Sequence, residues 1–528
     1  MPPDQKLKRE ISTANVLIAA AGGMIGSGWL FSPFVSAQIA GSNALISWVI
    51  AAVFMVLIAL PLCELGAMLP LSGGMSNYPT YTHGHEVGFL FAWVSWLSYV
   101  VMTPIEIQAI LQYGSTFFPA LIVKNAEGMV TLSVLGYALA IAIMLFVAVL
   151  NTYGVKLLAE CNKYASLIKF GVPSLAVASL LYTSPSFDNI QIHLSTQTDW
   201  QQIFSALSVG GVAFAFTGFQ NGLMLAGEVK NPQRNIPIAI LGAVAIGFVL
   251  YFMLQLAFIA AVPRSSLAQG WQHLSFAGDS GPLVGLTLLL GLTTVGALLL
   301  FDACFSPLGT TLVYTAATSR ILYGMALNQH LPGVLLKLNR HKIPYVTLYA
   351  NLLVGMFAFL PFPGWQKMVA FLSSTSILSY GIGPICLLAL RTLEPHLKRP
   401  FQLAKSRAFC HLAFYVCNLM LYWCGLIILW KLFAAVCIGL AVYLICQRKS
   451  LFACGRGVSW FFAYLASLLL FSYAGAYGGG MQWIGSPLDM ILILPLSMGM
   501  LALSQRCLPA AAQNEPLSAL AQRLRVEV

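Results

Sequence analysis

Glu106, Lys169 and Asp302 lie well inside apolar runs of this chain. At a bilayer centre such a charge costs at least about 2.5 to 3.5 kcal/mol, so it is paired or functional. Lys169 falls some eight residues into a run at 161–182, about 12 Å from the nearer edge at the helical rise. It serves ion coupling or snorkels to the interface. Asp302 sits near the centre of a run at 283–317, four residues before Ser306 and Pro307, which should bend that helix. Neighbouring hydroxyls or a lysine would satisfy it. Glu106 follows Pro104 in a run at 88–117, with Gln108 and Gln112 beyond it. It could bind a substrate ammonium, carry a proton or be solvated in an outer vestibule.

Backbone supplies the rest of the chemistry. In AGGMIGSGWLFSP, Ala21 to Pro33, the residues Gly26, Ser27, Gly28 and Pro33 mark local unwinding, which hydrocarbon tolerates only beside a cavity. Freed amides and carbonyls there can hold carboxylate, ammonium or a cation. The Gly22 to Gly26 spacing equally fits close helix packing. A second interrupted segment begins at Ser205, five spans later, with Gly210, Gly211 and Gly218. Two broken spans at matching places in two five-helix halves point to an inverted-repeat transporter with a midplane site. The expected substrate contacts are Ile25, Gly26, Ser27 and Gly28, with Phe216, Thr217, Gly218, Phe219 and Glu106.

The elements that position these residues are membrane helices. Only 8% of residues are charged, against about 25% in soluble domains, so the chain is a polytopic membrane protein. Its net charge of +11 is dispersed among short loops, which argues against nucleic acid. Eleven cysteines include no CxxC, and His83 and His85 have no third ligand in sequence, so no metal is expected. No cleavage site follows MPPDQKLKRE, so the first helix is expected to stay. Apolar runs give fourteen spans: 13–39, 43–69, 88–117, 129–150, 161–182, 203–227, 236–262, 283–317, 345–361, 368–390, 410–429, 432–447, 458–475 and 487–504. With the N-terminus inside, 22 Lys and Arg are cytoplasmic and 4 external, so both termini should be cytoplasmic. The expected divisions are a 1–12 N-terminus, repeats at 13–182 and 203–390, accessory helices at 410–504 and a cytoplasmic tail at 505–528.

The first break, GGMIGSGWLF, resembles the GxxGxG-like helix-one motif of the amino acid, polyamine and organocation (APC) transporter superfamily. AGEVKNPQRNIPIAI, Ala226 to Ile240, and ELGAMLPLSGGMSNYP, Glu64 to Pro79, resemble its signatures after helix six and between helices two and three. A narrower resemblance, to bacterial aspartate:proton symporters, rests on GSGWLF, YTHGHEVGFL, FDACFSP, TSRILYGMALN and the closing FSYAGAYGGGMQWIGSPLDMILI. The resemblance implies an all-α, LeuT-type 5+5 inverted repeat with unwound helices 1 and 6, plus four accessory helices. It matches Lys169 to a lysine that replaces a sodium ion between helices one and eight, and implies that one of Phe214, Phe216 and Phe219 gates the substrate. Glu228, in the signature loop, is expected to pin the helix six to seven turn. Gln220 departs from the pattern, standing where many members have an acidic residue, and a neutral amide cannot carry a proton.

The implied function is proton-coupled symport of an acidic amino acid across a bacterial inner membrane, driven by the ion gradient without a cofactor. Lys169 and Asp302 are the expected coupling residues. Two intramembrane carboxylates against one lysine argue instead for a cationic substrate, which keeps exchange or import of neutral or cationic amino acids as the alternative. A membrane enzyme is disfavoured because HExxH, GxSxG, P-loop and CxxC motifs are missing. A channel is disfavoured because paired broken helices imply alternating access. Nothing in the sequence specifies an oligomeric state.

Overall fold

In a computed structural model, residues 9, 11–71, 74–124, 130–153, 155–183, 186–276, 281–362, 364–450 and 455–509 are described, without the side chains of 155–166. Lys6, Lys8, Arg523 and Arg525, and the side chains of Lys156 and Lys163, lie outside these residues, as do most of 1–12 and of the tail.

Hydrocarbon forces each segment to close its own backbone hydrogen bonds, and the described chain is helical almost throughout. The first span comes apart into α1 (Thr13–Met24) and α2 (Gly28–Ala40), leaving Ile25, Gly26 and Ser27 unwound. It is followed by α3 (Ala44–Met68), then α4 (Tyr78–Val100) and α5 (Met102–Gly114), which meet at Val101. A short antiparallel hairpin, β1 (Ile122–Lys124) and β2 (Val130–Leu132), precedes α6 (Val134–Thr152) and α7 (Val155–Thr183). The sixth span breaks into α8 (Gln197–Ser208) and the single turns α9 (Val212–Ala215) and α10 (Asn221–Met224). Gly211 at φ +88° and Gly218 at φ +132° adopt backbone that a side chain would strain.

Beyond it run α11 (Pro232–Ala261), the short α12 (Pro282–Leu289), α13 (Thr293–Leu327), α14 (Tyr345–Ala358), and α15 (Trp365–Tyr380) continuing as α16 (Ile382–Leu393). The four accessory helices are α17 (Ser406–Trp423), α18 (Leu426–Gln447), α19 (Arg456–Ala474) and α20 (Leu488–Arg506). Nine helical stretches among the described residues are long and apolar enough to cross a membrane unaided. This is the expected all-α 5+5 arrangement with unwound first and sixth spans.

Three boundaries differ from expectation. The run at 283–317 is two helices, because Gly291 at φ +74° turns the chain between α12 and α13, and α13 then continues through Pro307. The eleventh and twelfth spans divide at Gly425, φ +86°, and not at Trp430 and Lys431. Lys431 stays within α18 by reaching the Pro361 carbonyl, 2.9 Å away, and lying over the Phe362 ring. Finally α7 begins at Val155, so Lys169 is fourteen residues inside it, about 21 Å along the axis. Its ammonium turns inward, to the Gly22 carbonyl and Thr310 Oγ1, and does not snorkel to an interface.

One face of the fold carries the start of α1, where Ile11 bonds the Glu228 carbonyl (3.0 Å) and the Lys230 amide (2.9 Å). Glu228 thus joins the N-terminus to the turn before α11 through its backbone. The same face holds Glu64, fully buried near the end of α3. Arg391 donates to it at 2.6 to 3.0 Å, the Leu403 amide at 2.8 Å, and Arg399 stands 3.9 Å away. The carboxylate therefore ties α3 to the end of α16 and its following loop. Removing one partner of a buried pair strands the other, at about 3 to 5 kcal/mol. Arg391→Ala should lower the thermal unfolding midpoint and the folded yield, with Arg391→Lys intermediate because an ammonium cannot make the bidentate contact. Substrate affinity of the surviving protein should stay unchanged when measured by equilibrium binding.

Candidate transport site at the two helix breaks

Unwinding at Ile25 to Ser27 frees the last carbonyls of α1, and three other helices supply their donors. Lys169 Nζ of α7 bonds the Gly22 carbonyl at 3.2 Å and Thr310 Oγ1 of α13 at 2.7 Å. Tyr251 OH of α11 donates to the Met24 carbonyl at 2.8 Å, and Thr310 lies 3.4 Å from that of Ile25. A helix C-terminus attracts a cation, and the buried ammonium of Lys169 sits at this one.

Across the break, α2 begins with the amide dipoles that favour an anion. Glu106 of α5 faces it, only 1% exposed, accepting from Ser27 Oγ at 3.3 Å. Its second oxygen has no partner among the described residues. Burial this deep replaces the vestibule reading of Glu106. Trp365 Nε1 of α15 donates to Ser27 Oγ at 3.0 Å. Glu106 and Lys169 thus lie on opposite sides of one unwound turn and act on each other electrostatically.

The second break packs directly on the first. A Cβ on Gly218 would meet Gly23 and Met24 backbone atoms at 2.5 to 2.6 Å. Gln220 Oε1 accepts from the Gly218 amide (2.8 Å) and from Tyr380 OH (3.1 Å), while Ser32 Oγ donates to the Gly211 carbonyl at 3.0 Å. Toward the face opposite the N-terminus, Trp365 packs on Phe31 at 4.7 Å and edge-on to Phe214 at 5.7 Å. Toward the N-terminal face, Tyr99 packs on Tyr314 at 5.1 Å and donates to Asn221 Oδ1 at 2.8 Å. Aromatic side chains therefore close the breaks from both sides.

The structure brings together Ile25, Gly26, Ser27, Gly28, Glu106, Thr217, Gly218 and Lys169. Of the candidate gates, Phe214 stands over Gly28 and Phe219 lies against Tyr380, whereas Phe216 packs away between Trp48 and Tyr251. Asp302 is more remote. Fully buried, it accepts from Ser306 Oγ at 2.9 Å and forms no ion pair with Lys169 among the described residues. His83 bonds Thr82, 2.9 Å away, and His85 meets His330 edge-on, with no three-ligand metal cluster among the described residues. Thr310, Tyr251, Trp365 and Asn221 were not singled out from the sequence. Thr310 had a signal, since Asp302, Ser306 and Thr310 recur every four residues on one face of α13.

The amino acid permease family model matches residues 11–481. The chain belongs to the amino acid permease family. It is 35% identical over 503 residues to the glutamate/serine transporter AimA of Bacillus subtilis, covering 93% of each chain. It is 32% identical over 500 residues to the aspartate-proton symporter of that organism, covering 93% of this chain and 95% of the relative. The branched-chain amino acid permease BcaP is more distant, at 24% over 471 residues, with 84% of this chain and 94% of the relative covered. This permease is therefore a multi-pass transporter of a bacterial membrane and not an enzyme.

As an amino acid permease it needs close approach at the breaks. A Cβ on Gly26 would lie 2.5 Å from Glu106 Oε1, and one on Gly218 would push α1 away. Gly26→Val and Gly218→Val should each abolish substrate binding, measured as loss of the ligand-induced thermal shift, while the protein still inserts in the membrane. Wild-type affinity in either variant would exclude this location.

Proposed function

We propose that this permease is a proton-coupled symporter of an acidic amino acid, aspartate or glutamate. The observation that carries the reading is Lys169, whose ammonium bridges the broken end of α1 and Thr310 of α13. Protonated, it draws α1, α7 and α13 together; on losing its proton it would leave the Gly22 carbonyl without a cation and loosen that contact. Glu106 adds a second condition. Its carboxylate beside Gly26 repels an incoming carboxylate, so an anionic side chain enters once Glu106 is neutral, and proton binding becomes tied to substrate binding.

The names of the two more similar relatives, a glutamate/serine transporter and an aspartate-proton symporter, support an acidic substrate. The excess of Lys and Arg, 22 against 4, supports cytoplasmic termini, which makes the N-terminal face cytoplasmic. No cofactor enters this scheme; the proton gradient supplies the drive. Importing one anionic charge against 100 mV costs about 2.3 kcal/mol, and one proton per substrate cancels that cost. A second proton would make uptake electrogenic, with Asp302 or Glu106 as its carrier. The rival reading, a neutral or cationic substrate or an exchanger, is favoured by charge balance, since among the described residues Glu106 and Asp302 are both buried against the single buried Lys169.

Uptake into proteoliposomes with imposed pH or sodium gradients tests this directly. Aspartate or glutamate should accumulate with the pH gradient alone, and Lys169→Ala should abolish accumulation. Accumulation driven by sodium alone, full pH-driven uptake in Lys169→Ala, or preference for a neutral or cationic amino acid in a screen of all twenty would overturn the assignment.

A further inference from the structure

A polar column leaves the site through α5, α13 and α14, beside the pair of Tyr99 and Tyr314. Thr103 stands one turn of α5 below Glu106, about 4.5 Å along the axis. Its Oγ1 lies 3.1 Å from Thr315 Oγ1. Next to that pair is a cavity of about 20 Å³ whose lining includes Val100, Thr103, Thr315, Thr318 and Asn351. Beyond it Ser319 Oγ lies 2.6 Å from Thr347 Oγ1 and 3.2 Å from the Pro344 carbonyl, at the start of α14 on the N-terminal face.

Asn351 fixes what the cavity can accept. It is 5% exposed, and Trp96 Nε1, which can only donate, points at its oxygen from 2.8 Å. The amide nitrogen is therefore the free end, and among the described residues it has no partner. An N–H donor in that position disfavours a metal cation, and neutral walls disfavour an anion. A water needs about 10 to 15 Å³ and two to four polar partners. Here the space suffices for one, with Asn351 Nδ2 as donor and the threonine hydroxyls as partners, Thr318 giving its own proton to the Tyr314 carbonyl.

We propose that this cavity binds one water molecule, which links Thr103 and Thr315 to Asn351 and Thr318 as part of a proton-release route from Glu106 towards the N-terminal face. The route rests on the proton-coupled reading above. In the step, the Glu106 carboxylic acid gives up its proton and remains as carboxylate. Each hydroxyl and the water takes one proton and passes one on as far as Thr347, which is buried at the start of α14. No group in the column changes charge. The groups that face Glu106 itself are Lys169, Tyr251 and Tyr314, and none belongs to the column. A passage this narrow carries protons while excluding the amino acid, so the ion and the substrate leave by different paths.

The test separates net uptake from exchange in proteoliposomes. Net uptake must release protons inside, whereas exchange with amino acid on both sides at equal pH need not. Thr315→Val removes a hydroxyl at constant volume, and Asn351→Leu fills the cavity with apolar surface. Both should lose most pH-driven net uptake while keeping wild-type exchange and affinity, and Thr315→Ser should restore net uptake. Wild-type net uptake in Thr315→Val, or exchange that falls in parallel with net uptake, would overturn the route. Absence of pH-driven uptake in the wild type would instead overturn the coupling reading, and this inference with it.

Discussion

An unwound turn inside a bilayer leaves carbonyls and amides with no water to bond, and this permease is organised around satisfying them. The carbonyls of Gly22, Met24 and Ile25 take donors from three different helices, through Lys169, Tyr251 and Thr310. The break therefore cannot move without disturbing α7, α11 and α13 together. A ligand or proton that competes for one of those donors acts on all three. That is the physical route by which a local binding event can reach the whole transporter.

The remaining polar interactions divide by position. On the N-terminal face, Glu64 holds α3 to α16 and the loop beyond with charge-assisted bonds. On the opposite face the less exposed ties are neutral, such as Asn43 to the His193 carbonyl at 2.6 Å and Gln38 to that of Leu274 at 2.9 Å, while the ion pair of Arg264 with Asp188 is exposed to solvent and correspondingly weak. Neutral hydrogen bonds are roughly half as strong as charge-assisted ones. The opposite face is thus the more easily parted of the two. Phe31, Phe214 and Trp365 pack on that side ring against ring, a closure held by apolar contact.

Much of this was legible because glycine and charge are conspicuous in apolar sequence. Gly26, Gly28, Gly211 and Gly218 locate both breaks, and Lys169 and Glu106 announce themselves by their cost in hydrocarbon. Less visible was the start of α7: Lys156, Glu160 and Lys163 interrupt the apolar pattern there, so the helix begins before the run that marks it. Trp365, Tyr251 and Asn221 resemble ordinary packing residues in sequence. Their roles depend on which atom lies opposite, a property of the assembled bundle and not of spacing. Asp302 shows the converse, because its position in the sequence announces a partner while its bond is to Ser306 on its own helix.

Gln220 gives the arrangement its asymmetry. Its carbonyl oxygen accepts from both the Gly218 amide and Tyr380 OH, a pattern that a carboxylate could also make. A carboxylate, however, would lose acceptor strength on protonation, so the second break would respond to pH. An amide has no such response and holds Gly218 in the same way at every pH. Among the described residues, the carboxylate and the amine that touch a break are Glu106 and Lys169, both at the first one. The acid and the base of the site thus stand on α5 and α7 against the unwound end of α1, and the second break is held by neutral groups.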